Sequence, residues 1–478
     1  MASNAVKISP DEIEFHPYSY GDPNGQLFYY KDGLYRGITA KNANFYRQLF
    51  KDGIIQRLIA KGLFVETELT DLRLDGYEFV VKQRLLPFVS YPYEWCAEML
   101  KDAALLMIDL TAELNRQKLL IQDVHSWNII FDGCRPVYVD FGSIIPADKE
   151  MSFYYMYDEF LRFFIYPLKI MAEGHESIAR CLLHNYDDGV LESDVAALVF
   201  GKSLEYKTKK LLTTSLYAAK RCVPYFLRSK LKKNMMPALR SEFMSHVYRR
   251  QTDFMNKARR EIESITIPFK PTVWSQYYKE EGWHPPLTPS EQWNQKHRSF
   301  YKVLSDLKPY SFLDIGCSTG WYSRLAALLG CEVVAFDTDE AAVRELYRKA
   351  KEDKLSIQPL VMSFANPSPG YGACNKSIAP AIERLKCDMV FAGALVHHIV
   401  FRKNLIFKQI AEEFSVFSKK WLLVEFVPRE DENVQRWLSE KHSWYTLDNF
   451  ISAIKQYFKS VKIYPSYPEP RILLLCEK

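Results

Sequence analysis

The stretch Leu-Asp-Ile-Gly-Cys-Ser-Thr-Gly occupies residues 313–320 and is followed by a helix-patterned segment. Residues 311–315 have the pattern of a buried strand, and residues 323–329, followed by Gly330, have that of a helix with a glycine stop. A strand, a glycine turn and a helix form the first crossover of a doubly wound sheet, in which ligands bind at the carboxyl ends of the strands. The spacing is not the G-x-G-x-x-G of dinucleotide-binding proteins, so it does not predict a pyrophosphate-binding turn.

The chain that follows this turn alternates strands with helices, which is the pattern of an α/β fold. The predicted strands cover 311–315, 332–336, 357–361, 387–392, 420–426 and 471–476. We therefore expect a Rossmann-like sheet in the last third of the chain.

The second predicted strand ends at Asp337. An acidic side chain at that position can accept hydrogen bonds from both ribose hydroxyls of a nucleoside. The alternative role is an N-cap for the helix that begins near Glu340. We favour the ribose role, because Thr338 and Asp339 can supply the cap.

Residues Asp314, Gly316 and Gly320 resemble motif I of the class I S-adenosylmethionine (SAM) methyltransferases, in which the turn cradles the methionine part of the cofactor. The resemblance implies that these residues and Asp337 bind SAM. The family usually places an acidic residue beside the adenine after the third strand. Here Ser363 takes that position and can still hydrogen-bond, while Phe364 can pack on the adenine ring.

The fourth predicted strand leads into His397-His398, which resembles the D-x-V-x-x-x-x-x-x-H-H segment of many small-molecule methyltransferases. A histidine there can take a proton from an acceptor hydroxyl or amine, or it can simply pack; we favour His398 as catalytic. Glu425 and Asp431 resemble the E-F-V-P-x-x-D segment of nodulation-protein-like methyltransferases. The alternative for Glu425 is an ion pair with a basic side chain.

A second set of motifs lies in residues 121–142. The loop from Asp123 through His125 to Asn128 resembles the D-x-H-x-x-N catalytic loop of aminoglycoside and choline kinase-like proteins, and the Asp-Phe-Gly that starts at Asp140 resembles the D-F-G metal motif. The resemblance implies an N-terminal α+β protein-kinase-like fold. In such a site Asp123 accepts the substrate proton, while Asn128 and Asp140 hold Mg²⁺ on the phosphates of ATP.

The phosphate-binding parts of a kinase are less evident. Residues 20–38 have no glycine-rich loop, and the helix predicted over 42–60 has no glutamate to pair with a lysine. Lys82 superficially resembles the phosphate-binding lysine but lies too close to Asp123, and Arg36 is a potential substitute. The sequence leaves open whether this domain is an active phosphotransferase or a pseudokinase.

These motifs predict a multidomain chain. We expect a kinase-like domain over 1–263, with a reduced small lobe over 1–90 and a helical large lobe over 91–263. A proline-rich linker over 264–296 and a methyltransferase domain over 297–478 follow. The combination is similar to bacterial enzymes that phosphorylate and methylate the terminal sugar of O-antigen chains, although those have the reverse domain order. That similarity implies a small-molecule or saccharide (glycolipid) acceptor.

The composition of the chain limits the classes of partner and the compartment that the sequence predicts. The 478 residues carry a net charge of +5, too mild to predict a nucleic-acid partner, and nine scattered cysteines without metal-site spacing, which favours a reducing, cytoplasmic setting. We see no signal peptide and no transmembrane segment.

Residues 207–240 hold ten Lys and Arg and no acidic residue. This basic stretch predicts either solvated helix faces, which we favour, or contact with a polyanion such as a membrane surface.

Overall fold

The structure, a computed structural model, describes residues 6–19, 22–147, 153–199, 253–280, 285–375 and 377–478. The basic stretch predicted to lie on helix faces, residues 207–240, falls outside these ranges. We refer below to the N-terminal region, up to residue 264, and to the C-terminal region, from residue 285 onward.

The N-terminal region begins with a five-stranded antiparallel sheet. Its strands, in spatial order, are β2 (Ile13–Phe15), β3 (Gly25–Tyr30), β4 (Gly33–Ile38), β7 (Phe79–Gln83) and β5 (Thr67–Leu69). β3 and β4 form a hairpin. A further short strand, β6 (Leu72–Leu74), lies between β5 and β7 in sequence and pairs in parallel with β1 (Val6–Ile8).

Helices and short hairpins make up the rest of the N-terminal region. The helices are α1 (Ala43–Lys51), α2 (Ile54–Ala60), α3 (Ala97–Arg116), α4 (Phe153–Phe160), α5 (Tyr166–Ala172), α6 (Glu176–Leu182), α7 (Glu192–Leu198) and α8 (residues 253–264). The single helix predicted over 42–60 is two helices, because Gly53 adopts a positive φ of 66° and ends the first. Short strands form two antiparallel pairs: β8 (Leu119–Ile121) with β11 (Ile144–Pro146), and β9 (Ile129–Asp132) with β10 (Arg135–Tyr138).

The C-terminal region contains a seven-stranded sheet. Its strands are β12 (Ser311–Ile315), β13 (Glu332–Asp337), β14 (Ile357–Val361), β15 (Cys387–Ala392), β16 (Ser418–Phe426), β17 (Ser460–Pro465) and β18 (Ile472–Glu477). The order across the sheet is β14-β13-β12-β15-β16-β18-β17, with β18 antiparallel to both of its neighbours and the other pairs parallel. All six predicted strands are present, and β17 was not predicted.

Helices cover both faces of this sheet. They are α10 (Gln295–Leu307), α11 (Trp321–Leu328), α12 (Glu340–Glu352), α13 (Ala381–Arg384), α14 (Val396–Lys403), α15 (Phe407–Phe417), α16 (Glu432–Gln435) and α17 (Leu447–Ile454). Alternate strand residues face opposite ways: Phe312 packs with α10 and α11, whereas Leu313 faces the core formed by α14, α15 and α17. Buried strands of this kind place their carboxyl ends at one edge, where the site lies.

The two regions share an interface with buried ion pairs. Arg384 on α13 forms a two-point ion pair with Glu94, and both side chains are almost completely buried. Arg344 on α12 likewise donates from Nε to both carboxylate oxygens of Glu98 on α3, at 2.8 and 2.9 Å. Buried apolar residues of both regions form one continuous cluster. The regions are therefore packed together as a single body rather than joined only by the chain between them.

A helix, α9 (Val273–Glu280), lies within the predicted linker. Among the described residues, no helix is long and apolar enough to cross a membrane.

Candidate functional site

The glycine turn after β12 is held in a conformation that suits glycine. Gly316 and Gly320 have φ values of 73° and 74°, a left-handed backbone that side chains disfavour. A Cβ on Gly320 would also overlap the side chain of Leu346 on α12. The two glycines therefore allow the turn to pass close to its neighbours at the carboxyl end of the sheet.

Asp314 faces the interior rather than the turn's open side. Its carboxylate accepts a hydrogen bond of 2.6 Å from the hydroxyl of Ser323 on α11, and its side chain is buried. Burial raises the pKa of Asp314 to about 7, while the bond from Ser323 opposes the shift. This contact ties the strand before the turn to the helix after it, so Asp314 shapes the turn from behind.

Asp337 ends β13 beside the glycine turn. Its two carboxylate oxygens accept backbone N–H bonds of 2.9 Å, one from Ser318 in the turn and one from Asp339. The N-cap of α12 is Asp339, which accepts from the Ala342 N–H at 2.9 Å. The prediction that another residue supplies the cap is confirmed, and each Asp337 oxygen keeps a lone pair for a further donor.

Ser363 and Phe364 follow β14, the next strand in the sheet. Ser363 is half-buried and pairs with Asn366 in an isolated bridge. The Phe364 ring is buried and packs against Phe414 on α15, with 4.8 Å between centroids. Of the two predicted adenine contacts, Ser363 is thus the one with an accessible side chain.

His397 and His398 begin α14, next to the carboxyl end of β15. His397 is buried, and its Nδ1 has no hydrogen-bond partner among the described residues. The half-buried His398 ring meets Trp437 and Trp274 edge-on, each at 5.3 Å. Burial lowers the pKa of His398 to about 4, with a smaller contribution from two arginines. The His398 imidazole is therefore neutral at pH 7, and with so low a pKa it is a weak base.

Segment 264–296 contributes directly to this edge of the sheet, which the prediction of a linker did not anticipate. The Trp274 carbonyl on α9 accepts a hydrogen bond of 3.0 Å from the Ser318 hydroxyl in the glycine turn. Trp321, at the start of α11, donates from Nε1 to the Pro285 carbonyl at 3.0 Å. Trp274 was missed because the prolines around it suggested a connector; a tryptophan in such a segment was the available signal.

Glu425 is a buried ion-pair partner. Lys296 on α10 donates to its Oε2 at 2.6 Å, and the Ser466 hydroxyl donates to its Oε1 at 2.5 Å. Of the two roles considered for Glu425, the structure therefore supports the ion pair, with Lys296 as the base involved. Asp431 is likewise paired, accepting a 2.8 Å bond from Nε of Arg471.

The second set of motifs also comes together in space, between the antiparallel sheet and α3. Ser143 links its two loops, because its Oγ accepts from the Asp123 N–H at 2.8 Å. Burial raises the pKa of Asp123 to about 6, and the charge of Asp140 adds to the shift. The Asn128 amide donates to the Tyr138 hydroxyl at 3.2 Å.

The carboxylate of Asp140 already forms an ion pair with an arginine of the protein itself. The Arg36 guanidinium on β4 lies 2.7 Å from Asp22 and 3.4 Å from Oδ1 of Asp140, and its side chain is only 8% exposed. Asp140 also accepts from the Gly142 N–H at 3.0 Å. The described residues hold no cluster of three or more metal-binding side chains. This arrangement does not fit a Mg²⁺ ion on Asp140 unless Arg36 moves away.

Residues 313–412 match the family described as "Methyltransferase domain". The nodulation protein NoeA of Rhizobium meliloti (strain 1021) is 26% identical over 453 residues, which cover 92% of this chain and 90% of that protein.

The chain is also similar in part to solved structures of two methyltransferases. The N-methyltransferase NodS from Bradyrhizobium japonicum WM9 is 12% identical and covers 38% of this chain and 93% of its own, with a TM-score of 0.28. Magnesium protoporphyrin IX methyltransferase (ChlM) from Synechocystis PCC 6803, with bound SAM, is 14% identical and covers 44% and 93%, with a TM-score of 0.29.

The glycine turn, the adjacent carboxylate and the family match define the class of the C-terminal region, which is that of the class I SAM methyltransferases. The protein is a SAM-dependent methyltransferase.

Proposed function

We propose that the protein methylates a small-molecule or saccharide-type acceptor in the cytoplasm and that its N-terminal region binds this acceptor. In the C-terminal region the turn at Gly316 and Gly320 would hold the methionine part of SAM. Asp337 would accept the ribose hydroxyls, and Ser363 would contact the adenine. SAM, when bound, supplies a methyl group already activated on a sulfonium. The protein's own task is therefore to align the acceptor and exclude water.

The observation that carries this proposal is the 2.9 Å bond between the Ser318 N–H and Asp337. It fixes the carboxylate against the glycine turn, so that one ligand can contact both. Backbone N–H groups alone occupy Asp337 among the described residues, and its free lone pairs match the two hydroxyl donors of a ribose.

His398 is the proposed proton acceptor for the methylated hydroxyl or amine. Its position at the carboxyl end of β15 supports this role, and its imidazole is neutral at pH 7. Because its pKa is low, we propose that it accepts the proton only as the methyl group is transferred. The rings of Trp274 and Trp437 beside it would limit the access of water to the reacting atoms. The relative NoeA is described as a nodulation protein, which leaves the chemistry of its acceptor unspecified.

We further propose that the N-terminal region has a kinase-like fold. A five-stranded antiparallel sheet precedes a helical part, and the loops with Asp123 and Asp140 meet between them. Binding rather than phosphorylation of the acceptor is favoured, because Arg36 occupies the carboxylate that would hold the metal. Proton acceptance by Asp123 and metal binding by Asn128 and Asp140 stay predictions.

A second candidate follows from the same ion pair. The N-terminal region would then be a pseudokinase scaffold that recruits a protein partner or substrate to the methyltransferase. The Arg36 contacts with Asp22 and Asp140 support it as well, since they satisfy these carboxylates without a nucleotide.

One experiment tests the methyltransferase proposal, and a second separates the roles of the N-terminal region. Enzyme and methyl-labelled SAM are incubated with cell extract, and mass spectrometry identifies labelled products; a labelled saccharide or small molecule is expected, and label only on proteins would contradict the proposed acceptor class. Binding of ATP with and without Mg²⁺ is then measured for the wild type and for Asp140→Ala. If the wild type binds ATP in a Mg²⁺-dependent way and Asp140→Ala abolishes that binding, the result would favour an active phosphotransferase over a domain that only binds the acceptor.

A further inference from the structure

A group of aromatic side chains lies next to the Asp123 loop, where the two regions meet. We call it the aromatic cage; it consists of Tyr91, Tyr93, Trp127, His184, Tyr186 and Tyr371. Tyr93 stands at its centre, stacked on His184 at 3.9 Å and 5.7 Å from Trp127. The cage draws on the segment before α3, the Asp123 loop, the loop after α6 and the loop after β14.

The cage contains polar atoms that the protein does not satisfy. The Tyr93 hydroxyl, Trp127 Nε1 and His184 Nδ1 are buried and have no hydrogen-bond partner among the described residues. The side chains of Tyr93 and Trp127 are only 4% and 9% exposed. Buried polar groups in folded proteins almost always have a partner, and an unpaired one is costly. Three such atoms lie together in this ring cluster and are available to pair with a ligand.

The cation beside the cage, Arg384, is already neutralised by a carboxylate. Its guanidinium lies 4.6 Å from the centre of the Tyr91 ring, is bound to Glu94 and also donates to two backbone carbonyls. Burial lowers the pKa of His184, so that its ring is neutral at pH 7. The described residues of the cage thus offer no free cation to a phosphate or a carboxylate.

The exposed member of the cage, Tyr186, lies near Asp123, the predicted proton acceptor. Tyr186 is 48% exposed, and its ring lies 5.0 Å from Trp127. Burial, and after it the charges of Asp123 and Asp140, raise the pKa of the Tyr186 phenol, which places that hydroxyl within electrostatic range of Asp123. A ligand would enter by displacing the Tyr186 ring, since the inner polar atoms are closed to solvent.

We infer that the aromatic cage binds an uncharged, polyhydroxylated ring, that is, a sugar residue of the acceptor. The C–H faces of a pyranose stack on aromatic rings while its hydroxyls pair with the polar atoms at the ring edges. The Tyr93 hydroxyl, Trp127 Nε1 and His184 Nδ1 provide such partners. This inference rests on the proposed function, in which the N-terminal region binds the acceptor, and it adds where and by which chemistry.

The test uses the full-length protein and uncharged methyl glycosides of glucose, galactose and mannose, with cyclohexanol and glucose 6-phosphate as comparison ligands. Saturation-transfer difference NMR is expected to show transfer to at least one methyl glycoside and weaker transfer to both comparison ligands. Absence of transfer to all three glycosides, or equal transfer to cyclohexanol, would overturn the inference.

Conservative variants locate the binding. Tyr93→Phe and Trp127→Phe keep an aromatic ring but remove the unpaired donor, and each should weaken glycoside binding by about tenfold. Tyr93→Phe should also leave Tm unchanged or raise it, because the wild-type hydroxyl is unpaired. Glycoside binding at wild-type affinity in both variants would contradict the cage as the site.

The matched control is Tyr445→Phe, since the Tyr445 hydroxyl is buried but donates to the Val427 carbonyl at 2.8 Å. This variant should lower Tm and leave glycoside binding intact. SAM affinity, measured by calorimetry on the same samples, keeps the two proposals apart. If the wild type does not bind SAM, the proposed function is wrong. If it binds SAM but no glycoside, only the inference about the aromatic cage is wrong.

Discussion

Asp337 and Asp140 each stand at the end of a strand, before a turn, and each was predicted to bind a cofactor. Their surroundings differ. Asp337 accepts only backbone N–H groups among the described residues, which leaves lone pairs for hydroxyl donors. Asp140 faces the Arg36 guanidinium, which provides inside the protein the positive charge that a metal would bring. Similar motifs therefore indicate where a site lies, whereas the side chains that approach from other elements decide what it can bind.

The largest expected effect tests Asp337, whose carboxylate is free to accept bonds from a ligand. Asp337→Ala should weaken SAM binding by about 100-fold or more, because two hydrogen bonds to a charged acceptor are lost. Isothermal titration with SAM measures the change. The matched control is Asp339→Ala, which removes the helix cap and about 1 kcal/mol of stability but no ribose contact. Similar losses of affinity in both variants would contradict the ribose assignment.

The Asp140 site is tested by removing the arginine that pairs with it. Arg36→Ala leaves the carboxylates of Asp22 and Asp140 without a cation and should lower the free energy of unfolding by about 3 kcal/mol. Urea unfolding gives this value, and Mg²⁺ should raise the Tm of the variant more than that of the wild type. Lys82→Ala, an exposed lysine on the neighbouring strand, should change stability by less than about 0.5 kcal/mol. An Arg36→Ala protein as stable as the wild type would show that the ion pairs are unimportant.

A smaller effect concerns the carboxyl of Asp123, whose pKa burial raises from 3.8 to about 6. A raised pKa means that the folded state binds the proton more tightly, so this group favours folding below pH 4 and loses that contribution as the pH rises to about 6. Asp123→Asn should therefore gain about 1–2 kcal/mol of stability over the wild type across this interval, after allowance for solvent screening. Unfolding curves at a series of pH values measure the difference, and a constant difference would refute the raised pKa.

The smallest effect sharpens the SAM site. Ser363→Ala should weaken SAM binding by about fivefold, the cost of one neutral hydrogen bond. Ser356→Ala, at the opposite end of β14, where the hydroxyl donates to Glu332 at 2.7 Å, is the control and should leave SAM affinity unchanged. Equal affinities for the Ser363→Ala variant and the wild type would remove Ser363 from the adenine contacts.

Local patterns predicted the C-terminal sheet well, because buried parallel strands are short apolar runs with clear glycine turns. β17 was missed because it is a half-exposed edge strand with several polar residues. The pairing of β6 with β1 was missed for another reason. The two strands lie more than 60 residues apart, and neither carries a turn signal that links them.

The residues that define the sites were less predictable than the strands. Arg36 was considered only as a potential lysine substitute, and its contact with Asp140 spans 104 positions. Lys296 and Glu425 are 129 positions apart, and neither side chain carries a local pattern that announces its partner. Contacts of this kind depend on how whole elements pack, whereas the motifs depend only on neighbours in sequence.

The interface between the two regions restricts how the gene can evolve. Arg384 and Glu94 are buried together with an apolar cluster that both regions share, so a gene that encoded either region alone would expose that cluster to solvent. Such a fragment would be prone to unfold or aggregate before selection could act on its chemistry. Gene fission is therefore disfavoured, and mutations in one region are selected in the permanent presence of the other.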